Sequence, residues 1–233
     1  NYLQMIKNYK TFIYLYILLF SKTILASSSA SFLISQTAFN NYDFTQVLYE
    51  YGANRNEDSK NDYLDELISA VVTDNIVLAQ KIAEKFLLIK PDNQEAKLVS
   101  MIEAFNSTNE KKLHALRLDS SGNKNDLFEF IFFLNDKIKS KNSISNSFLE
   151  IVKSSYSNKD TNYPQNYNFL LFYTTLSILI NNENYEAIYI KGQLLQLIEN
   201  YFFAESTYLK IPENNKFFLD AQRNIAFNYS QGN

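Results

Sequence analysis

Apolar and small residues recur at helical spacing along most of the chain, and short polar clusters separate the runs. After Ala30, no stretch keeps the two-residue alternation of a half-buried strand. In AQKIAEKFLLIKPDN, for example, Ala79, Ile82 and Phe86 share one helical face before Pro91 ends the run. The pattern predicts an all-α chain with helices at residues 29–40, 43–53, 62–72, 75–89, 94–106, 110–118, 124–139, 143–155, 167–180, 185–198, 201–210 and 217–229.

The short connections favour antiparallel helix pairs, and the pairs recur with a degenerate period of about 34 residues. In the segment from Glu186 to Pro212, Gly192 lies on the first helix, and Ala204 and Tyr208 lie one turn apart on the second. Two helices that cross closely each need a small residue at the crossing, and aromatic side chains fill the remaining space. This order resembles the tetratricopeptide repeat.

Pro91 fits the same repeat as its terminal proline. It places Ala79 at the small position of the second helix, and it puts Ala83 where an aromatic residue is usual. Proline lacks an N–H and disfavours helix at the preceding residue, so it separates one pair from the next. Asn181-Asn182 stands at the corresponding place after the helix predicted at 167–180.

The first residues have the layout of a secretory signal peptide. Lys7 and Lys10 precede an apolar stretch from Thr11 to Phe20, and small residues follow from Ala26. We interpret residues 1–26 as this signal, with residues 1–4 upstream of the natural start, and residues 27–233 as one helical repeat domain. The predicted location is the periplasm or the exterior; an uncleaved inner-membrane anchor is the alternative.

The whole order resembles secreted tetratricopeptide-repeat proteins of alphaproteobacteria. The shared features are the signal, a first helix like SASFLISQTAFNNYDFTQVLYEY, the segment from Ala79 to Asn93, and Lys210-Ile211-Pro212 followed by Phe217-Phe218. The chain departs from that group by carrying many asparagines and lysines where the group has alanine and arginine.

That resemblance implies a right-handed superhelical solenoid of antiparallel helix pairs. It also implies a non-catalytic scaffold in the bacterial periplasm that binds a peptide or protein on its concave face. The first helices of the pairs would line this face. The repeat register places there Leu98, Ile102, Phe105, Tyr189, Gln193, Gln196, Arg223 and Phe227.

Composition narrows the possible chemistry. The net charge of −3 and the pI near 5.3 argue against nucleic acid as a partner. The chain has no cysteine and one histidine, His114, and no catalytic or phosphate-binding motif, so we predict no enzyme, cofactor or metal. The acidic group around Asp62 is interpreted as a helix N-terminus rather than a cation site. His114 is interpreted as a surface or packing residue rather than a proton shuttle.

Two other functions stay open at this stage. The chain ends after one helix of a pair, which indicates a longer protein, and a catalytic domain beyond residue 233 would make these repeats the regulatory arm of an enzyme. A retained apolar segment from Thr11 to Ala26 would instead make the protein a membrane-anchored assembly factor. Membrane contact is expected only through such a retained signal, and self-association is left open.

Overall fold

A computed structural model describes residues 29–54, 62–109, 111–112, 115, 141–157 and 166–231. The regular elements among these residues are all α-helices, and no strand occurs among them. In chain order they are α1 (29–40), α2 (Phe44–Asn54), α3 (Asp62–Val72), α4 (Ile76–Ile89), α5 (Gln94–Asn106), α6 (Lys141–Ser157), α7 (Tyr167–Ile180), α8 (Tyr185–Leu197), α9 (Tyr201–Tyr208) and α10 (Phe218–Gln231).

These bounds confirm the all-α prediction, and four helices have the predicted bounds: α1, α3, α5 and α7. The prediction for α9 was two residues too long, because Leu209 and Lys210 form a turn. The helices predicted at 110–118 and 124–139 lie outside the described residues, apart from helical residues 111, 112 and 115. The predicted signal peptide, residues 1–26, also lies outside them. Within the described ranges, no helix combines the length and the apolar character needed to cross a membrane.

The same tight turn follows a helix at four places. One residue takes a left-handed backbone with φ between 54° and 61°. The next residue donates its N–H to a carbonyl five residues earlier, as in a Schellman motif. That next residue is Asp or Asn, and in three turns its side chain caps the following helix. The four turns are Tyr42–Asp43, Asp74–Asn75, Thr108–Asn109 and Glu199–Asn200.

A second kind of turn joins one pair to the next. The Lys90 N–H still bonds back into α4, Pro91 follows, and the Asn93 side chain caps α5. Between α7 and α8, the Asn181 N–H bonds back into α7 and the Asn184 side chain caps α8. The proline therefore stands at a junction between helix pairs, and asparagine occupies the equivalent place later in the chain.

The α8–α9 pair shows why the crossing needs a small residue. A Cβ atom built on Gly192 would lie 2.3 Å from Cε1 of Tyr208, which is far inside van der Waals contact. The Tyr208 side chain is fully buried, and Ala204 is buried one turn before it. Gly192 is thus the residue that lets the Tyr208 ring lie against α8.

The central helix of the described structure is α7. It packs on α6 and α8, its neighbours in the chain, and also on α3 and α5. Its sequence is apolar on every side, and Leu171, Phe172 and Leu176 are fully buried, as expected for a helix enclosed by others. A linear stack of repeats has contacts only between neighbouring repeats. Here α7 adds contacts between helices that are distant in the chain.

A buried polar network fixes α6, α7 and α8 to one another. The Ser145 and Ser177 hydroxyls lie 2.9 Å apart, and each lies within hydrogen-bond distance of the other residue's carbonyl. The Asn184 Nδ2 donates to the Ser145 hydroxyl at 2.8 Å, while its Oδ1 caps α8. Because each group has a partner inside the protein, the network favours one register of the three helices.

An ionic cluster joins α8 to the turn between α3 and α4. The Lys191 ammonium is buried and lies 2.9 Å from Asp74 Oδ1 and 3.0 Å from the Val72 carbonyl oxygen. Lys210 approaches the other Asp74 oxygen at 2.9 Å. Burial would raise the pKa of Asp74, but the two lysines outweigh it and hold that pKa below its usual value. Burial lowers the pKa of Lys191 more than Asp74 raises it.

Candidate functional site

The structure divides the eight register residues into two sets. Leu98 and Ile102 on α5 are buried, and Phe105 packs partly against the core. Leu98 and Ile102 therefore lie in the interior, and Phe105 is half-buried. The other five lie on α8 and α10 and are exposed or half-buried: Tyr189, Gln193, Gln196, Arg223 and Phe227.

Three of these residues form a stripe along α8. Tyr189, Gln193 and Gln196 are four and three residues apart, so they share one face of the helix. Gln193 is exposed, and its Nε2 lies 3.4 Å from the Tyr189 hydroxyl. Gln196 Oε1 accepts a hydrogen bond of 3.1 Å from Tyr208, which leaves the Gln196 Nε2 group without a partner in the described residues.

Asn224 connects α10 to this stripe. Its Nδ2 donates to the Tyr208 hydroxyl at 3.1 Å and lies 3.5 Å from the Tyr189 hydroxyl. Sequence reasoning missed Asn224, because it named Arg223 and Phe227 by register alone. The only signal in the sequence was that Asn224 is an amide next to Arg223. Its contacts depend on how α10 packs. We call the surface formed by Tyr189, Gln193, Gln196, Asn224, Arg223 and Phe227 the α8–α10 surface.

One turn after Asn224, the side chain of Asn228 is buried with unsatisfied polar atoms. Its exposed fraction is 4%, and neither Oδ1 nor Nδ2 has a hydrogen-bond partner in the described structure. A buried amide without partners is rare, because it has lost water and gained nothing in return. Sequence analysis gave no sign of this group.

Aromatic packing fixes the first turn of the α8–α10 surface. The Tyr189 ring stacks on Phe217 with centroids 5.1 Å apart, and the Lys216 ammonium lies 4.7 Å from the Phe217 centroid. Burial raises the pKa of Tyr208 far above its usual value, although the Asn224 hydrogen bond opposes that shift. The Tyr208 phenol therefore stays protonated near neutral pH and donates to Gln196.

Arg223 and Phe227 form the outer part of the surface. The Arg223 side chain is 77% exposed and pairs with Asp220 at 2.8 Å, three residues earlier on α10. An exposed pair of this kind contributes little stability, so the guanidinium is free to exchange Asp220 for another carboxylate. Phe227 exposes half of its side chain.

A small apolar cleft adjoins Gln193 on the other side of α8. It lies between α6 and α8 and has a volume of about 140 Å³. Its apolar walls come from Val152, Ile190, Leu194 and Leu197. The exposed face of α8 thus has polar amides and aromatics on one side and a cleft that fits an aliphatic side chain on the other.

The chemistry available on the α8–α10 surface is recognition by hydrogen bonds and stacking. Amide side chains do not titrate, and they offer both donors and acceptors. No group of three His, Cys, Asp or Glu side chains that would suit a metal ion occurs within the residues described. His114 lies outside those residues, so the alternatives discussed for it stay open.

No protein-family model, curated protein or solved structure matches the chain.

Proposed function

We propose that the protein is a non-catalytic scaffold that binds an extended peptide segment of a partner protein along the α8–α10 surface. In this proposal the helix pairs are tetratricopeptide-like and follow a right-handed superhelix. Two features of the described residues support the repeat: the four equivalent turns, and the approach of Tyr208 to Gly192. The periplasmic location belongs to the proposal too, and it rests on the sequence of residues 1–26.

The observation that carries the proposal is the set of amides around the α8–α10 surface. Gln193 is exposed, and the Gln196 Nε2 has no partner among the described residues. Each residue of an extended peptide presents one N–H and one C=O, which must be paired when they leave water. Amide side chains offer the same two groups and can pair with both.

The neighbouring side chains suit the side chains of such a peptide. Tyr189 and Phe227 provide rigid aromatic area, which loses little conformational entropy on binding. Arg223 is available to a carboxylate. The 140 Å³ cleft beside Gln193 suits one aliphatic side chain. The expected segment is therefore extended and carries an aliphatic residue and an acidic residue.

A site-specific photo-crosslinker tests the proposal. The full chain would carry the crosslinker at Gln193, and a second preparation would carry it at Phe202, which is 77% exposed on α9 outside the surface. We expect a defined adduct in envelope extract from the Gln193 position only. The partner segment would be identified by mass spectrometry and synthesised as a peptide.

The affinity of that peptide then tests the contacts. Gln193→Ala and Phe227→Ala are each expected to weaken binding about tenfold, the usual loss for truncating a central contact. Phe202→Ala is the matched control and should leave the affinity unchanged. Equal adducts from both positions, or a peptide whose affinity depends on Phe202 rather than on Gln193, would show that the α8–α10 surface is not the binding site.

A further inference from the structure

A second feature is formed by helices other than α8 and α10. It is a cavity of about 320 Å³ where α3, α4, α5 and α7 meet. This volume lies within the range of small-molecule pockets, roughly 300–1,000 Å³. Its walls are aliphatic and come from all four helices: Val71, Ile76, Val99, Ile102, Leu176 and Leu179.

Contacts around the cavity keep its walls apart. Asn106 Nδ2 at the end of α5 donates to the Leu179 carbonyl oxygen of α7 at 3.1 Å. Val71 and Ile76 flank the turn of Asp74, which Lys191 and Lys210 hold in place. The helices that form the cavity are thus fixed at two corners, so the space does not depend on loose packing.

The polar groups at the cavity edge are mainly hydrogen-bond acceptors. Glu103 lines the cavity, and one of its oxygens lies 2.7 Å from the Lys112 ammonium, which leaves the other oxygen without a partner among the described residues. Asn106 uses its N–H group on α7, so its Oδ1 is available. Gln80 also lines the cavity and makes no hydrogen bond within the described residues.

The charges at this edge disfavour an anionic ligand. Lys112 is the cation nearest to Glu103, and it is already paired with both Glu103 and Glu84. An anion would face the Glu103 carboxylate without a free cation among the lining residues. The aliphatic walls offer water few hydrogen-bond partners away from the edge.

The geometry points to a binding site for an uncharged small molecule with an apolar body and one hydrogen-bond donor, such as an alcohol, phenol or amide. The body would occupy the aliphatic space, and the donor would face Asn106 and Glu103. This site is separate from the proposed peptide surface, so either one can be wrong without the other.

Two probes with the same naphthalene body test the ligand class. 1-Naphthol has an apolar body and an O–H donor, and 1-naphthoate replaces that donor with an anion. Titration of the full chain, followed by fluorescence and calorimetry, is expected to show saturable one-to-one binding of 1-naphthol. Binding of 1-naphthoate should be weaker by about tenfold or more, because its carboxylate meets Glu103.

Two variants on different walls test the location. Val99→Phe and Ile76→Phe place extra volume in the cavity, and each should weaken 1-naphthol binding by about tenfold or more while the helical circular dichroism is retained. Ile76 is only half-buried, so this variant is expected to fold even where the Val99 variant does not. Phe202→Ala, on the exposed face of α9, is the control for binding to surface aromatics.

The proposal is overturned by any of three results. The wild-type chain could show no saturable 1-naphthol binding. The two probes could bind equally well, which would exclude the acceptor edge. Folded Val99→Phe and Ile76→Phe could bind like wild type while Phe202→Ala loses the signal, which would place the probe on α9.

Discussion

Ile102 on α5 and Gln193 on α8 occupy equivalent positions in two helices. Each stands seven residues before the asparagine of the same kind of turn, Asn109 and Asn200. Ile102 is 7% exposed and lines a cavity that is partly open to solvent, whereas Gln193 is exposed. Equivalent positions of the repeat therefore lie in opposite environments, one buried and one exposed.

The difference comes from α7. Its Leu176 and Leu179 line the same cavity as Ile102, and the Leu179 carbonyl accepts a hydrogen bond from Asn106. Within the part of the chain that the structure describes, no helix covers Gln193 in the same way. The position within the repeat determines on which face of its helix a residue lies. Whether that face is exposed depends on packing by a helix from a distant part of the chain.

The largest expected effect comes from removing the ion pair that connects the two regions, between Asp74 in the turn after α3 and Lys191 on α8. Asp74→Asn keeps a residue that tolerates the left-handed backbone at φ 59° and removes the charge beside buried Lys191. We expect the free energy of unfolding to fall by about 3 kcal/mol, since a buried ammonium loses its partner. Chemical denaturation measures this, and Lys191→Met added to Asp74→Asn should restore much of the loss.

The same pair predicts how the loss depends on pH. The folded pKa of Asp74 is lowered, so its contribution is present above the unfolded pKa and lost as pH falls through the folded value. The folded pKa of Lys191 is also lowered, so stability rises as pH climbs from that value towards the ordinary lysine pKa. The gap between wild type and Asp74→Asn should therefore be widest near neutral pH; a constant gap would contradict the assignment.

A smaller effect is expected from a substitution at the crossing of α8 and α9. Gly192→Ala puts a methyl group where the Tyr208 ring lies, so we expect a loss of about 2 kcal/mol from overpacking. Gly52→Ala on α2 is the matched control, because its Cβ would meet nothing within 4 Å. That change should instead stabilise the protein by about 0.5–1 kcal/mol. Thermal and denaturant unfolding compare the two, and equal signs would refute the close crossing.

The smallest expected effect tests whether the turns after α5 and α8 are of the same type. Thr108 after α5 and Glu199 after α8 have left-handed backbones that glycine adopts more readily. Thr108→Gly and Glu199→Gly should each raise the free energy of unfolding by about 1 kcal/mol. Asp74→Gly should lower it, because this turn also supplies the carboxylate for Lys191. Destabilisation by Glu199→Gly would show that its turn differs from the others.

Sequence predicted the local part of this fold well, because local signals determine it. Asn93 and Asn166 cap their helices, and Pro91 ends another, so the bounds of α5 and α7 follow from nearby residues. The sequence of α7 is apolar on every side, but it gave no sign of which helices would enclose it.

The contacts between helices that are distant in the chain had no comparable signal in the sequence. Asp74 is 117 residues from Lys191 and 136 from Lys210, and no spacing rule links such distant charges. Of the eight register residues, six reach an exposed or half-buried position. Leu98 and Ile102 lie in the interior, for the reason that separates Ile102 from Gln193. Asn224 and Asn228 were missed because their roles depend on the packing of α10.

Cysteine labelling tests the difference between the two regions most directly, since the chain has no cysteine of its own. Ile102→Cys and Gln193→Cys would be treated with a bulky sulfonated maleimide, with Phe202→Cys as an exposed reference. We expect Gln193→Cys to react as fast as the reference and Ile102→Cys to be protected by about 100-fold or more, because local opening must precede its reaction. Equal rates at the two equivalent positions would contradict the covering of α5 by α7.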